Sequence, residues 1–586
     1  MNYSHHASRK AKPKHDFTAR RWLFLLFVFG CMGLLELRLF DLQIMNNSFL
    51  KKQGEIRHEA VVAISAHRGR ILDRYGDAMA ISTPVKNVYV RPRHLVITPA
   101  QTQELASLLN FSLKRLNSKI KSTKNFVYLN RNINPSRAEK IEALKIGGIQ
   151  TEKAYKRFYP SGEISAHLLG FTNIDDWGQA GLEFFYDRYL QGKPGSKRVI
   201  RDANRRIIEG LDRTEDVESI KDAVPGKDLT LSIDQRLQYL AYRELKAGVT
   251  KERAKSGSAV VLDAKTGEVL AAVNQPSVNP HVRKDLKGQR YLNRAFNAQY
   301  EPGSTIKPFV IACALDQQVI SQELVIDTSP GIYYVQRKPI RDIHDYGQLD
   351  LMHVLKKSSN VAISKIALML EPEQLWGCYN KLGFGLSAGV NFPNETTGRL
   401  AEYNTWRPIE QATLSFGYGL STSVLQLARA YTALADNGQL HSVTLLKREQ
   451  DDEAVQAISP AVANSIKNML EHVVDRDGTA YSARVKGYRV AGKTGTVKKH
   501  KHGGGYTDNK YLSLFVGLAP ASNPRLVIAV EVDEPQEKNY YGGLVAGPIF
   551  ARVMEGALRL MGIAPDNLET TPTLITQTEV SHGYEK

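Results

Sequence analysis

Three short motifs stand in order along the 586-residue chain: Ser304-Thr305-Ile306-Lys307, Ser358-Ser359-Asn360 and Lys493-Thr494-Gly495-Thr496. A serine hydroxyl is a poor nucleophile at neutral pH and needs a neighbouring base. Lys307, three residues on, returns to the same helix face as Ser304 and is the base expected here. An amine accepts a proton only when uncharged. A second ammonium, Lys493, together with partial burial would lower the pKa of Lys307 by repulsion and desolvation. The expected arrangement is two amino groups crowding the Ser304 hydroxyl. Ser358 would relay a proton to a leaving amine, and Asn360 would orient both the lysine and a substrate amide. Thr494, Gly495 and Thr496, with Lys493, would form the substrate-binding edge, offering charge and hydroxyls to a carboxylate. Backbone N–H groups of Ser304 and Thr496 are the natural oxyanion donors, a role worth about 2.7–4 kcal/mol each in acyl-transfer enzymes. The chemistry is acyl transfer through an ester on Ser304.

Each motif also occurs by chance, and local context separates the copies. Ser48/Lys51 and Ser118/Lys121 repeat the first spacing, Ser277/Asn279 the second, and Lys265-Thr266-Gly267 the third. Ser304 alone follows a turn, Glu301-Pro302-Gly303, and precedes an apolar helical run. That places it at a helix N-terminus, where unpaired N–H groups favour a developing oxyanion. Ser358-Ser359-Asn360 interrupts a helical region. Lys493 follows the small, apolar Val490-Ala491-Gly492, as on a strand edging a cleft, whereas Lys265 sits between Asp263 and Glu268 as in a solvent-facing turn. Glu371, eleven residues after Asn360, reads as a helix start rather than a water-activating base. An acyl-enzyme without such a base would persist until an amine arrives. The basic run Lys498-Lys499-His500-Lys501-His502 reads as a solvated hairpin tip.

The elements that must position these motifs follow from patterning. From about residue 226 a strand-like run (Leu229–Ile233) leads into a helical pattern (Asp234–Leu245). A hairpin follows through Ser258–Leu262 and Glu268–Val273. Helices are expected around Ser304, Leu351–Met369 and Ser423–Asn437, and strands return at Arg489–Thr496, Leu512–Ala519 and Arg525–Val532. This is an α+β catalytic domain over 226–562. Residues 45–225 carry short β-like runs, turns and charges but no complete catalytic set, and read as an elongated, β-rich, non-catalytic pedestal. Their Arg68-Gly69-Arg70-Ile71-Leu72-Asp73-Arg74 segment suggests turns and structural salt bridges. Residues 563–586 form a polar tail.

The formal net charge of +18 suits an anionic partner, and no nucleic-acid-reading element accompanies it. No His/Cys cluster has metal-ligand spacing, and neither metal nor cofactor is expected. Trp22–Leu35 is uninterruptedly apolar and continues to about Ile44. No small-residue cleavage site follows, so an uncleaved anchor over 22–44 is favoured over a signal peptide. Six basic residues against one acid in the tail 1–21 put that end in the cytoplasm and the rest outside. Glu36 and Arg38 either snorkel to the interface or meet a partner helix. Cys31 lies in the apolar segment; Cys313 and Cys378 are left to pair or not.

With these residues assembled, the chain resembles the class B penicillin-binding proteins, and among them the septal peptidoglycan D,D-transpeptidases of Gram-negative bacteria. The likeness covers nearly the full length. It is carried by the basic tail and anchor, Arg68–Arg74, Tyr159-Pro160-Ser161-Gly162, His167–Asn173, the three motifs, Ser415-Phe416-Gly417-Tyr418-Gly419 and Tyr540-Tyr541-Gly542-Gly543. It implies a serine β-lactamase-like transpeptidase domain and acylation of Ser304 by the D-Ala-D-Ala end of a peptidoglycan stem peptide. It further implies release of D-Ala, transfer to an amine of a neighbouring stem, and covalent inhibition by β-lactams. The implied partners are the glycan polymerase FtsW and other divisome proteins at the inner membrane. An elongation-specific transpeptidase of the same class and a non-catalytic β-lactam-binding scaffold or sensor are the alternatives.

Overall fold

A computed structural model describes residues 18–200, 219–282, 286, 288–449, 454–500 and 505–567. The charged tail up to residue 17, Lys501 and His502 of the basic run, and the polar tail beyond 567 lie outside the described residues. The apolar N-terminal run forms helix α1 (Thr18–Phe40) and continues through a wider turn, Asp41–Met45. Among the described residues this stretch is long and apolar enough to cross a membrane. Arg38 is tied within its own chain, donating to Asp41 at 2.7 Å.

The described chain divides into two compact units. Among the described residues the first comprises 18–65, 86–152, 194–200 and 219–224. Its strands Glu59–Ile64 and Gly195–Ile200 pair antiparallel. Three helices, Pro99–Leu109, Leu113–Ile120 and Pro135–Ala143, start at side-chain caps on Thr98, Ser112 and Asn134. They enclose a core that includes Val88, Leu105, Leu116, Leu129 and Ile141. The pedestal thus mixes helices with its strands, because short amphipathic helices flanked by Asn, Ser and Thr resemble loops in composition.

Among the described residues the second unit comprises 66–85, 153–193 and those from 225 to 567. The Arg68–Arg74 segment therefore packs with the motif-bearing chain. Its arginines choose distant acids. Buried Arg68 donates to Glu183 at 2.6 Å and Asp187 at 2.7 Å. Arg157 reaches the other Glu183 oxygen at 2.6 Å. Asp73, the acid nearest in sequence, instead closes a turn by accepting from the Tyr75 and Asp77 N–H groups. Gly69 has no room for a side chain, since a Cβ would lie 1.9 Å from the Lys227 carbonyl oxygen.

Five antiparallel strands make the central sheet of this unit: β1 (Ser256–Asp263), β2 (Val269–Gln275), β3 (Ala491–His500), β4 (Tyr506–Ala519) and β5 (Leu526–Asp533). Their spatial order is β2-β1-β5-β4-β3, which leaves β3 at one edge. Every residue of β1 and β2 is buried, the pattern of strands covered on both faces. Helices α2 (Gln235–Lys251, capped by Asp234), α3 (Lys307–Asp316), α4 (Leu351–Lys357) and α5 (Asn360–Ala367) follow. Further on come α6 (Pro372–Lys381), α7 (Val424–Ala435) and α8 (Gly542–Leu560). α2 and α8 pack on each other and on the sheet, while α7 packs on β1 and β5. The strand expected over Leu229–Ile233 is confined to Leu229–Thr230, because Asp234 caps α2 and ends extended pairing.

Lys265-Thr266-Gly267 is the β1–β2 turn, with Gly267 at φ +69°. Its lysine is partly covered and paired with Asp436 at 2.7 Å rather than facing solvent freely. Lys499 and His500 also depart from a solvated tip. Lys499 bridges Asp533 and Glu534 at 2.6 and 2.7 Å, and His500 lies 3.1 Å from Glu301. The physical reason is the length of β3, which carries these residues past the cleft onto acids at the end of β5 and before Ser304.

Candidate active site

Ser304 lies in a 3₁₀ turn, Gly303–Ile306, that runs directly into α3. The first intrahelical bond is Thr305 N–H to the Pro302 carbonyl, so the Ser304 N–H precedes it and has no acceptor in its own helix. α3 begins with Lys307 and Pro308, and all residues from Lys307 to Leu315 are buried. Proline in this first turn forfeits little, because that N–H lacks an intrahelical partner. Two further ties hold the helix. Tyr431 of α7 donates to the Thr305 carbonyl at 2.7 Å. Cys313 and Cys378 form a disulfide that joins α3 to α6, settling a pairing that the sequence left open.

The second motif breaks the helical region as expected. Ser358 terminates α4 in the left-handed region (φ +59°), and Ser359 caps α5 by accepting from Ala362 N–H at 2.9 Å. Its reversed backbone aims the Ser358 carbonyl and hydroxyl at Lys307. The third motif occupies the edge strand β3, where Lys493 stands opposite Val516 and Thr496 opposite Ser513. Edge position leaves alternate backbone groups of β3 without a ladder partner and open to a ligand.

Lys307 Nζ lies 2.6 Å from the Ser358 carbonyl oxygen, 2.7 Å from Asn360 Oδ1 and 3.2 Å from Ser358 Oγ. Lys493 Nζ approaches the same Ser358 Oγ at 3.0 Å. The hydroxyl caught between the two amino groups is therefore that of Ser358, and this corrects the expectation that they crowd Ser304. Among the described residues the Ser304 hydroxyl has no hydrogen-bond partner. Catalytic hydrogen bonds often form only once substrate is bound, and Ser304 stands one turn ahead of Lys307 at the start of α3. Burial holds Lys307 well below the ordinary lysine value. Repulsion from Lys493 adds to the shift, and Asp342 opposes it. Burial alone pushes Lys493 down to about 7. Two buried lysines sharing one hydroxyl cannot both stay charged cheaply, and the amine with two further acceptors is positioned to act as a base.

Thr494 Oγ1 meets Thr479 Oγ1 at 3.2 Å, and Thr496 Oγ1 accepts from Gly542 N–H at 2.9 Å, which keeps its own proton available. Gly495 passes directly over the nucleophile turn: a Cβ there would press on the Pro302 oxygen and Thr305 Cγ2, both at 3.0 Å. Gly417 approaches Gly303 more closely still, and its Cβ would fall 2.2 Å from the Gly303 oxygen at a φ of +83°. Beyond the edge of β3, the rings of Tyr540 and Tyr541 stack with centroids 4.6 Å apart and Tyr511 covers Tyr540 at 4.0 Å. Glu371 caps α6 through a capping box with Gln374, so it serves as the helix start that its spacing indicates.

One polar residue of the site has no sequence signal. Asp342 accepts from Ser359 Oγ at 2.5 Å and from the N–H groups of Asn360 and Val361 at 2.5 and 3.1 Å. It neutralises the N-terminus of α5 and so fixes the carbonyl of Asn360's side chain against Lys307. We predict that Asp342→Ala lowers stability by about 1–2 kcal/mol in denaturant titration, the usual cost of losing a helix cap. Acylation by a fluorescent penicillin should slow about tenfold, with Asp342→Asn intermediate because it retains the acceptor oxygen. An unchanged acylation rate in a correctly folded Asp342→Ala protein would remove this positioning role.

Comparison with known proteins bears on the same residues. A family profile described as "Penicillin binding protein transpeptidase domain" matches residues 257–555, and one described as "Penicillin-binding Protein dimerisation domain" matches 63–231. The chain is 40% identical over 527 residues to a "Probable peptidoglycan D,D-transpeptidase PenA" of Neisseria gonorrhoeae, covering 89% of this chain and 90% of that one. It is 38% identical over 578 residues to "Peptidoglycan D,D-transpeptidase FtsI" of Escherichia coli K12, covering 96% of each. Among solved structures, the transpeptidase domain of Burkholderia pseudomallei penicillin-binding protein 3 is 43% identical, with a TM-score of 0.53 over 57% of this chain and 97% of that one. A peptidoglycan synthetase from Bifidobacterium adolescentis gives a TM-score of 0.69 at 25% identity, over 87% of this chain and 98% of that one.

Proposed function

The chain belongs to the penicillin-binding protein family of peptidoglycan D,D-transpeptidases, and on that premise we propose how its own residues carry the reaction. The observation that bears most weight is the pair of buried amino groups meeting at Ser358 Oγ, at 3.2 Å from Lys307 and 3.0 Å from Lys493. Lys307, uncharged, takes the Ser304 proton as Oγ attacks the carbonyl carbon between the two terminal D-Ala residues of a stem peptide. The oxyanion that forms is met by the N–H groups of Ser304 and Thr496. Lys493, Thr494 and Thr496 hold the substrate carboxylate. Lys307 passes the proton through Ser358 to the nitrogen of the departing D-Ala, the C–N bond breaks, and the acyl group remains as an ester on Ser304. An amine of a second stem then attacks the ester. Its proton goes to Lys307 and on to Ser304 Oγ as the C–O bond breaks, which regenerates the serine. A β-lactam enters the first half-reaction, but its amine stays tethered in the opened ring, and the ester persists.

The anchor, the basic residues before it and the disulfide support a single-pass protein with its N-terminus in the cytoplasm and its catalytic unit on the oxidising, periplasmic side. Likeness to FtsI supports action at the division septum alongside FtsW and other divisome proteins. The test is transfer itself. A D-Ala-D-Ala peptide donor incubated with the protein and an amine acceptor should yield the cross-linked peptide and one equivalent of D-Ala, both blocked by prior penicillin. Formation of a penicilloyl adduct without any transfer or D-Ala release, even with partner proteins added, would favour a sensor over a transpeptidase. Depletion should produce filaments; round cells would point to elongation instead.

A further inference from the structure

Glu301 stands three residues before Ser304 and is buried, and no step of the reaction uses it. Its carboxylate reaches in two directions. Towards the loop 416–422, Oε1 accepts from the Gly419 N–H at 2.8 Å. Beside that bond Gly303 N–H donates to the Gly417 carbonyl at 3.2 Å, and Tyr300 and Thr422 exchange backbone bonds at 3.0 and 2.9 Å. The nucleophile turn is therefore held to this loop at three successive places. Towards the sheet it is held at one. Tyr506, the first residue of β4, donates its hydroxyl to Glu301 Oε2 at 3.2 Å, and His500 Nε2, at the end of β3, lies 3.1 Å from Oε1. His500 and Tyr506 face each other across the β3–β4 ladder with ring centroids 4.6 Å apart, so Glu301 grips both strands at one rung. Among the described residues no other hydrogen bond or ion pair joins segment 300–306 to β3 or β4.

We propose that Glu301 is a positioning residue, a strut that holds the nucleophile turn against β3 and thereby sets the width of the oxyanion hole. This deepens, and rests on, the transpeptidase reading above. The two donors of the hole belong to different elements, Ser304 N–H to the turn and Thr496 N–H to the edge strand, so neither backbone fixes the gap between them. Glycines set how near the two elements come. A Cβ on Gly303 would meet Val497 Cγ2 at 2.5 Å, and one on Gly495 would press on the Pro302 oxygen at 3.0 Å. Such packing blocks closer approach, but each dispersion contact resists parting only weakly. A buried carboxylate with donors on both sides supplies the directional tie. Lys499 also fastens the end of β3, to Asp533 and Glu534, yet those acids belong to the sheet and do not span the gap. Thr496 lies four residues from His500, about 13 Å along the strand. A strand end that swings by an ångström carries its donor out of line, and misplacement on that scale costs up to about 10²-fold. Glu301 touches no reacting atom and acts through the two N–H groups.

The experiment follows penicillin acylation of the full-length protein and separates affinity for the non-covalent complex from the rate of the bond-forming step. End-point labelling counts competent sites, so misfolded chains do not enter the rate. Glu301→Ala should still take up one penicilloyl group per competent chain, with affinity within about twofold of the natural protein. Its acylation step should slow about thirtyfold, short of the 10²–10³ lost with an entire oxyanion donor. Glu301→Gln keeps an acceptor for Gly419 N–H and a polar contact for Tyr506, and should recover most of that rate. His500→Gln combined with Tyr506→Phe cuts the strut from its exposed side and leaves the Gly419 bond in place. That double variant should slow the same step about tenfold, and it decides alone if Glu301→Ala yields no competent sites. Hydrogen bonds from the hole weaken the ester carbonyl, so its infrared band in the penicilloyl-enzyme should shift to higher wavenumber in Glu301→Ala and in the double variant. An acylation step within about twofold of natural in the double variant, a loss confined to affinity, or an ester band that stays in place would each overturn the proposal. Variants that match a natural protein competent in acylation sink only the strut; a natural protein that takes up no penicillin sinks the transpeptidase reading with it.

Discussion

Ser304→Ala is expected to abolish the covalent adduct with penicillin and to reduce transfer by about 10⁶-fold, the scale seen when a serine acyl-transfer enzyme loses its nucleophile. The reason is specific to this residue. The other candidate hydroxyl, Ser358, lies between two amino groups and its carbonyl is bonded to Lys307, whereas the Ser304 hydroxyl has no partner among the described residues and sits at the start of α3. Because that hydroxyl makes no bond in this state, its removal should leave stability within about 0.5 kcal/mol. Intact-mass measurement after penicillin treatment checks the result. The natural protein should gain one penicilloyl group, mapped to the peptide containing Ser304, and the variant none. An adduct on the alanine variant would move the nucleophile elsewhere, with Ser358 the first place to look.

Lys307→Met is expected to cost about 10²–10⁴ in acylation rate, the usual range for a lost general base. Stability should move little, because two effects oppose. Methionine relieves the burial of an amino group but leaves the Ser358 carbonyl and Asn360 Oδ1 without their donor. The pH profile separates a base from a merely structural lysine. In the natural protein acylation should rise with pH as Lys307 sheds its proton, on a limb displaced well below the ordinary lysine range by burial and by Lys493. It should fall again as Lys493, pushed down to about 7, loses the charge that holds the carboxylate. The two lysines titrate as a pair, so the limbs report the pair. Linkage gives a second sign. Below about 7 the native and unfolded chains both carry the Lys493 proton and the full penalty of burying it applies. Between about 7 and the unfolded value the unfolded chain binds the extra proton, so stability rises with pH. A Lys307→Met protein that acylates at the natural rate with the same rising limb would remove the base from Lys307.

Much of the site is legible from local chemistry. The turn Glu301-Pro302-Gly303 before an apolar run announces the start of α3, and the structure puts Ser304 and Lys307 there. Ser358-Ser359-Asn360 reads as a helix break because serine and asparagine compete for backbone partners, and it separates α4 from α5. The decoy Lys265-Thr266-Gly267 is a hairpin turn, as its acidic flanks indicate. What fails is anything that depends on a partner far along the chain. Lys499 and His500 look solvated until β3 delivers them to Asp533, Glu534 and Glu301. Asp342 looks like one more acid in a polar stretch, yet it caps α5. Arg68 and Arg157 converge on Glu183 although 115 and 26 residues separate them from it.

By itself, then, the sequence determined the reacting groups, the order of the motifs and the elements that carry them, because nucleophile, base, cap and turn are matters of residue type and of spacing within one or two helical turns. Tertiary structure alone decided which hydroxyl stands between the lysines, how closely Gly417 and Gly495 pass the nucleophile turn, and that Cys313 and Cys378 pair. Those outcomes depend on the sheet order β2-β1-β5-β4-β3 and on side-chain volumes packed from distant segments. Neither quantity leaves a periodic trace in a single chain read residue by residue.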